Sequence, residues 1–396
     1  MISRLSFSSD STRLASCSSD ETIIVWDVEK RRQLSRLIGH KDNIKAIAFS
    51  PVDSEILASG SADGTVRLWN TTTGKESAIL ATGHTASVKT LTFTAGNTLL
   101  CSAVSNGTVQ IWDVRTGKEF PSPDFPHQDT TTVMGFSSDA TLFASNGTET
   151  KVESDGKTTI ETWSDNNETK FWMMPTGDEL TTFKGNALDI TFSPDNKLAA
   201  IGLREGLIVF YDVNSGEMLR SIEVEEAFDR KVVFSPNGKL IATYGARVNT
   251  RIWYTDTLKE ISPPQIDNVN EVVFSLDSKQ LALHHTEGIE LCSVIETKIK
   301  QLKTVKSHWL KNQGYQYVIL FSPDGKYLLE ATPSWLEYPI QIWNIKEGKK
   351  IDALNGHKQW IHALAFSHDG KILASGSSDG TVLLWDWEKI IADATK

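Results

Sequence analysis

The sequence predicts an all-β protein built from nine copies of one hairpin-rich unit, and three observations carry that reading. A phenylalanine that ends an apolar run recurs as Phe7, Phe49, Phe93, Phe136, Phe192, Phe234, Phe274, Phe321 and Phe366, nearly always followed by Ser. A partner near the end of a later run recurs as Trp26, Trp69, Trp112, Trp172, Tyr211, Trp253, Cys292, Trp343 and Trp385, and it follows the phenylalanine by 18 to 20 residues in seven of the nine copies. The runs are short, bounded by Gly, Asp and Ser, and do not alternate cleanly between apolar and polar, which suits strands covered on both faces. A period of about 42 residues with four short strands per unit is what a propeller blade needs. The expected fold is a β-propeller of four-stranded antiparallel blades in nine repeats, closed as a single ring. A seven-bladed ring preceded by two further blades is the alternative.

The clearest copy runs from Gly356 to Asp386. It opens on Gly356-His357, continues through an apolar run Ile361 to Phe366, and turns at Ser367-His368-Asp369-Gly370. It returns through Ile372 to Ala374, turns again at Ser375 to Gly380, and ends on Thr381 to Trp385. Gly supplies such turns because it accepts positive φ, and Asp because its side chain hydrogen-bonds the backbone that follows. Together with Gly39-His40, Gly83-His84, the Ser-x-Asp-Gly-Thr turns at Asp63 and Asp379, and Trp26-Asp27, Trp112-Asp113 and Trp385-Asp386, these residues make the chain resemble the WD-repeat β-propellers. The resemblance covers essentially the whole chain; it is specific for fold and almost silent about function. It implies that in a full copy an indole N–H, a hydroxyl, an imidazole and a carboxylate form one hydrogen-bonded chain. In the second repeat these are Trp69, Ser59, His40 and Asp63; in the ninth they are Trp385, Ser375, His357 and Asp379. Each such group would cost about 1 to 3 kcal/mol if buried without a partner.

In chain order the repeats are placed at 1–37, 38–80, 81–121, 127–184, 185–223, 226–262, 266–303, 312–354 and 355–396. The first lacks its histidine: His40, His84 and His357 each lie nine residues before a phenylalanine, and nine residues before Phe7 falls before Met1. The chain is therefore expected to start inside a repeat, either as a piece of a longer protein or with a repeat that never had the histidine. The third repeat keeps His84, Ser102 and Trp112 but carries Asn106 in place of the aspartate. Repeats four to eight lack Gly-His and place Asn166, Glu205, Arg247, Thr286 and Glu337 where Asp belongs, so the middle of the ring is less well specified than its ends.

Irregular spacing marks three more places. The fourth repeat has 36 residues between Phe136 and Trp172, with the excess between its second and third strands. The polar stretch 146–167 is expected as a loose acidic loop, with an extended hairpin turning at Asp155-Gly156 as the alternative. The eighth repeat has an enlarged turn at Pro333 to Pro339, and the connection before it carries Trp309. The ninth repeat has to find its outer strand in 387–396, around Ile390 and Ile391, unless that segment is a frayed tail or a short helix.

Composition narrows the function classes. Net charge of −10 disfavours nucleic acid, whose binding needs a basic surface. No apolar run approaches the roughly 18 residues of a membrane span, and the first ten residues hold no secretory apolar stretch. Cys17, Cys101 and Cys292 have no metal-ligand spacing and read as buried thiols in a reducing compartment, which places the protein in the cytoplasm. The Asn-x-Ser/Thr matches, among them Asn70-Thr71-Thr72, read as turn chemistry. The five lysines of 298–311 read as an outer strand edge that resists sheet association.

No cofactor, metal site or catalytic residue is expected. Residues three or four before each phenylalanine, such as Lys45, Lys89, Asp189, Lys231, Glu271 and His362, mix signs and show no paired acid and base. They read as a solvated channel wall. Strand alternation brings the second-to-third-strand loops and the loops between repeats to one face, which would display Trp309, Trp335, Tyr338 and Trp360. Clustered exposed aromatics make binding hot spots. The expected function is a non-enzymatic interaction scaffold holding a protein or peptide on that face. An enzyme or small-ligand binder at the channel mouth, or the sensor portion of a longer signalling protein, is the alternative.

Overall fold

The structure is a computed structural model that describes residues 1–80, 87–93, 98–104, 109–119, 131–137, 142–154, 159–173, 178–185, 187–213, 215–224, 231–245, 248–261, 266, 269–285, 288–295, 298–305, 318–331 and 338–394. These residues form nine antiparallel sheets, in each of which every strand pairs with the next one in the chain. The innermost strands are Ile2–Phe7, Ile44–Phe49, Val88–Phe93, Thr131–Phe136, Ala187–Phe192, Lys231–Phe234, Val269–Phe274, Val318–Phe321 and Ile361–Phe366. All nine end on the recurring phenylalanine. Second strands such as Arg13–Ser18, Ile56–Ser61 and Ile372–Ser377 are buried along nearly their whole length. Sheets therefore cover both of their faces, and the alternation of a half-exposed strand is absent.

The apolar core lies between sheets. Leu37, Cys17 and Val25 of the first sheet pack with Phe49, Leu57 and Trp69 of the second, and equivalent clusters join the second to the third and each successive pair from the fourth to the ninth. Phe7, Leu14 and Val28 of the first sheet then pack with Ala374 of the ninth. The first and second sheets thus sit between the ninth and the third, which is the order of a single ring. A separate seven-bladed ring would leave the first sheet's inner face away from the ninth. Gly376 makes the closure close: a Cβ there would lie 2.6 Å from Ile2 Cγ2. Outside the core, Arg31 pairs with Asp386 at 3.2 Å across the same junction.

Two expectations are corrected. The long insertion of the fourth repeat is an extended hairpin, Leu142–Ser154 against Thr159–Met173, paired from Leu142↔Met173 out to Ser154↔Thr159. The sheet's other strands, Thr131–Phe136 and Glu179–Lys184, pair only with the near part of this ribbon, so its far part pairs with itself. The ninth sheet has three strands, and the residues expected to supply a fourth form the helix α1, Trp387–Ala394. Trp387 decides this. Its ring is 6% exposed and packs edge-on against Phe366 and Tyr327, with centroids 5.1 and 5.8 Å away, and Ile390 and Ile391 follow it onto the same core one turn later. A strand would have turned alternate residues away from that core.

The serine after each phenylalanine explains why the middle sheets hold their shape. Ser322 Oγ donates to Asp324 Oδ1 at 2.6 Å and accepts the Tyr327 amide at 3.0 Å, which closes the first turn of its sheet. Ser8, Ser193, Ser235, Ser275 and Ser367 do the same with Asp10, Asp195, Asn237, Asp277 and Asp369. The sequence displays this serine in nearly every repeat, including those without the histidine.

Candidate functional site

Two histidine networks hold the loops of one face. His40 Nδ1 lies 2.9 Å from Asp63 Oδ2, His40 Nε2 lies 2.7 Å from Ser59 Oγ, and Trp69 Nε1 donates to the same Oγ at 2.7 Å. An ionised carboxylate only accepts, so the imidazole proton sits on Nδ1, and Ser59 donates to Nε2 while accepting from the indole. In the ninth sheet the corresponding distances are 3.2 Å from His357 to Asp379, 2.7 Å from His357 to Ser375 and 2.9 Å from Trp385 to Ser375. Burial pushes both imidazoles below their ordinary pKa in spite of the neighbouring carboxylates, so they are held neutral. Burial alone would raise Asp63. Hydrogen bonds from the Lys41 amide, Thr65 and His40 outweigh it and hold the carboxyl at about 2. Gly39 precedes His40 because a Cβ there would meet Arg67 Nη1 at 2.6 Å and the Trp69 ring at 3.1 Å. In the first sheet Trp26 Nε1 donates to Ser16 Oγ at 3.0 Å, with no histidine beyond it. In the third, Ser102 and Trp112 are buried, while His84 and Asn106 lie outside the described residues.

The eighth sheet keeps this bond with a different residue. Glu330 stands where the first four sheets and the ninth place serine, is 1% exposed, and accepts the Trp343 indole proton at 3.1 Å. Burial pushes its carboxyl up to about 7, outweighing the Trp343 bond and the Lys350 charge. Its Oε1 has no hydrogen-bond partner among the described residues.

Two of the four aromatic candidates, Tyr338 and Trp360, lie on the loop face. Tyr338 stands just before the third strand of the eighth sheet, Ile340–Asn344, and Trp360 just before the inner strand of the ninth. Both are half-buried, on neighbouring sheets. The Trp360 carbonyl accepts the Ser378 amide at 2.7 Å, which ties its loop to the next one on the same face. Trp309 and Trp335 lie outside the described residues.

Other residues singled out in the sequence have local structural settings. Cys17, Cys101 and Cys292 are free and buried, and burial pushes the Cys101 and Cys292 thiols up to about 12. The Asn70 side chain accepts the Thr72 and Thr73 amides, a turn-forming role. Lys298–Val305 is the outer strand of the seventh sheet. Among the described residues no group of three or more His, Cys, Asp or Glu could hold a metal ion, and no helix is long and apolar enough to cross a membrane.

Comparison with known proteins follows the same division of the ring. The WD domain, G-beta repeat family matches residues 1–27, 31–70, 75–113 and 348–386, which are the first three repeats and the last. Over 220 residues the chain is 25% identical to the mouse serine-threonine kinase receptor-associated protein, a match spanning 54% of this chain and 60% of that protein. It is 24% identical over 228 residues to human pre-mRNA-processing factor 17, spanning 55% of this chain and 38% of that one. Against zebrafish apoptotic protease-activating factor 1 it is 24% identical over 204 residues, spanning 50% of this chain and 13% of the other. The chain thus spans less than two thirds of each of these relatives. The crystal structure of the computationally designed Ika8 protein superposes with a TM-score of 0.58 at 22% identity, covering 97% of this chain and 96% of that one. This last likeness speaks to the fold alone.

Proposed function

Because the chain is a WD-repeat β-propeller, we propose that it works as a non-catalytic scaffold that holds a protein or peptide segment on the face formed by the second-to-third-strand loops and the loops between sheets. Protein interaction in general is what the repeats and the relatives indicate. The choice of face rests on one observation: half-buried Tyr338 and Trp360 on that face of two neighbouring sheets, each on a loop rather than a strand. Aromatic rings fixed by their own backbone lose little entropy when a partner covers them. The relatives' names point to a kinase receptor, to pre-mRNA processing and to protease activation, so they carry no single partner to this chain. A reducing compartment such as the cytoplasm suits three buried free thiols.

Photo-crosslinking tests the face. A benzoylphenylalanine placed at the exposed Lys358, beside Trp360, is expected to trap a discrete protein from cell extract. The same residue at the exposed Lys371, in the first turn of the ninth sheet on the opposite face, is expected to trap none. A product from Lys371 and none from Lys358 would contradict the proposal.

A further inference from the structure

The innermost strands do not spread their charges evenly around the channel. Where the ninth, first and second sheets meet, a cavity of about 300 Å³ opens at the loop-face end of the channel, lined by Arg4, Lys45, His362, Ser3, Ser19 and Asn43 with Met1 and Ile44. Two of these side chains, Arg4 and Lys45, are cationic, burial and the nearby N-terminal ammonium push the His362 imidazole below its ordinary pKa, none is a carboxylate, and the remaining polar ones offer hydroxyls and an amide. The setting is notable because the chain as a whole carries a net charge of −10. The sequence hides this grouping, since residues 4, 45 and 362 are brought together only by closure of the ring.

The geometry follows from the inner strands. Each of the three begins with a shift in pairing, between Ile2 and Arg4, between Ile44 and Ala46, and between Ile361 and Ala363. The shift leaves Ser3, Lys45 and His362 out of the paired register, at the lip of the channel. His362 Nε2 lies 2.5 Å from Ser378 Oγ, and Ser378 is the residue whose amide binds the Trp360 carbonyl. The basic recess and the Trp360 loop are therefore joined through one residue. Arg4 and Lys45 are exposed, so their charges meet a ligand without first being released from an internal ion pair.

We propose that this recess takes the carboxylate of an acidic side chain in the segment that the scaffold holds, a reading that rests on the scaffold function and specifies its partner as acidic. The volume stands at the lower end of the roughly 300 to 1,000 Å³ typical of ligand clefts, enough for a side chain and short for a drug-sized molecule. Arg and Lys together with hydroxyl and amide donors match a carboxylate, and a partner that carries several of them is steered to this basic recess on an acidic ring.

Fluorescence anisotropy with two blocked, labelled peptides, one of four glutamates and one of four glutamines, tests this on the full chain. The glutamate peptide is expected to bind about tenfold or more tighter than the glutamine peptide, and to weaken as salt is raised. Replacement of both Arg4 and Lys45 by Ser removes that preference, whereas Lys371→Ser on the opposite face leaves it intact. Equal binding of the two peptides, equal loss from Lys371→Ser, or tighter binding of inorganic phosphate than of the glutamate peptide would each overturn the proposal. These results do not depend on capture of a natural partner, so failure here leaves the scaffold reading to its own test.

Discussion

At the residue scale, the fold rests on buried polar side chains, and Glu330, whose Oε1 has no hydrogen-bond partner among the described residues, gives the sharpest prediction. Glu330 has a folded-state pKa near 7 against an ordinary value of 4.5, so the folded protein binds its proton more tightly than the unfolded chain. The protonated residue's stability is fully present below about pH 4.5 and is lost as pH rises through about 7. Glu330→Gln keeps an acceptor for the Trp343 indole and removes the charge. Denaturant unfolding is expected to show the variant more stable than wild type at pH 8.5, by on the order of 3 kcal/mol at about 1.4 kcal/mol per pKa unit, and close to it at about pH 4. A constant difference across that range would contradict the assignment. Asp63 carries the opposite sign. Its pKa is held at about 2, so its contribution is present above about pH 4 and disappears as pH falls through about 2. Ser322→Ala strands a buried turn and is expected to cost about 1 to 3 kcal/mol in the same experiment, with under half a kcal/mol counting against the turn's role.

At the element scale, the helix α1 stands where a fourth strand was expected, and its anchor is Trp387. Truncation of a buried tryptophan leaves a cavity that a ring of stacked sheets cannot easily collapse, so Trp387→Ala is expected to cost about 3 to 5 kcal/mol. A loss near zero would mean that the helix merely rests on the ninth sheet. The ribbon of the fourth sheet behaves differently. Its far part pairs only with itself, and an isolated two-stranded hairpin is marginal in water. Shortening it by joining Thr148 to Asn167 through a two-residue turn is expected to leave the unfolding midpoint within about half a kcal/mol of wild type. Both elements show where the sequence was readable. Repeated phenylalanines and tryptophans announce strands because each fills an equivalent space between sheets. The ribbon's polar residues carry no such signal, since only cross-strand pairing fixes them. Trp387 was hidden because one tryptophan fits the core equally well from a strand or a helix, and only the positions of Tyr327 and Phe366 choose between them.

At the scale of the whole molecule, the repeats that keep the family pattern lie side by side once the ring closes: the ninth, first, second and third. The remaining sheets retain the phenylalanine and serine and vary elsewhere, so shape is shared around the ring while the loop chemistry is not. The histidine networks could be read from the sequence because they lie within one repeat. The basic recess could not, because its side chains come from both ends of the chain. The central claim is that one face of this ring captures a protein. Affinity capture from extract tests it with three folded forms: wild type, a loop-face variant with Tyr338→Ala and Trp360→Ala, and an opposite-face variant that replaces by Ser the exposed first-turn residues Val52 and Leu276, which are 67% and 70% exposed. The account predicts that wild type and the opposite-face variant retain the same protein and that the loop-face variant loses it. Retention by the loop-face variant with loss from the opposite-face variant would contradict it.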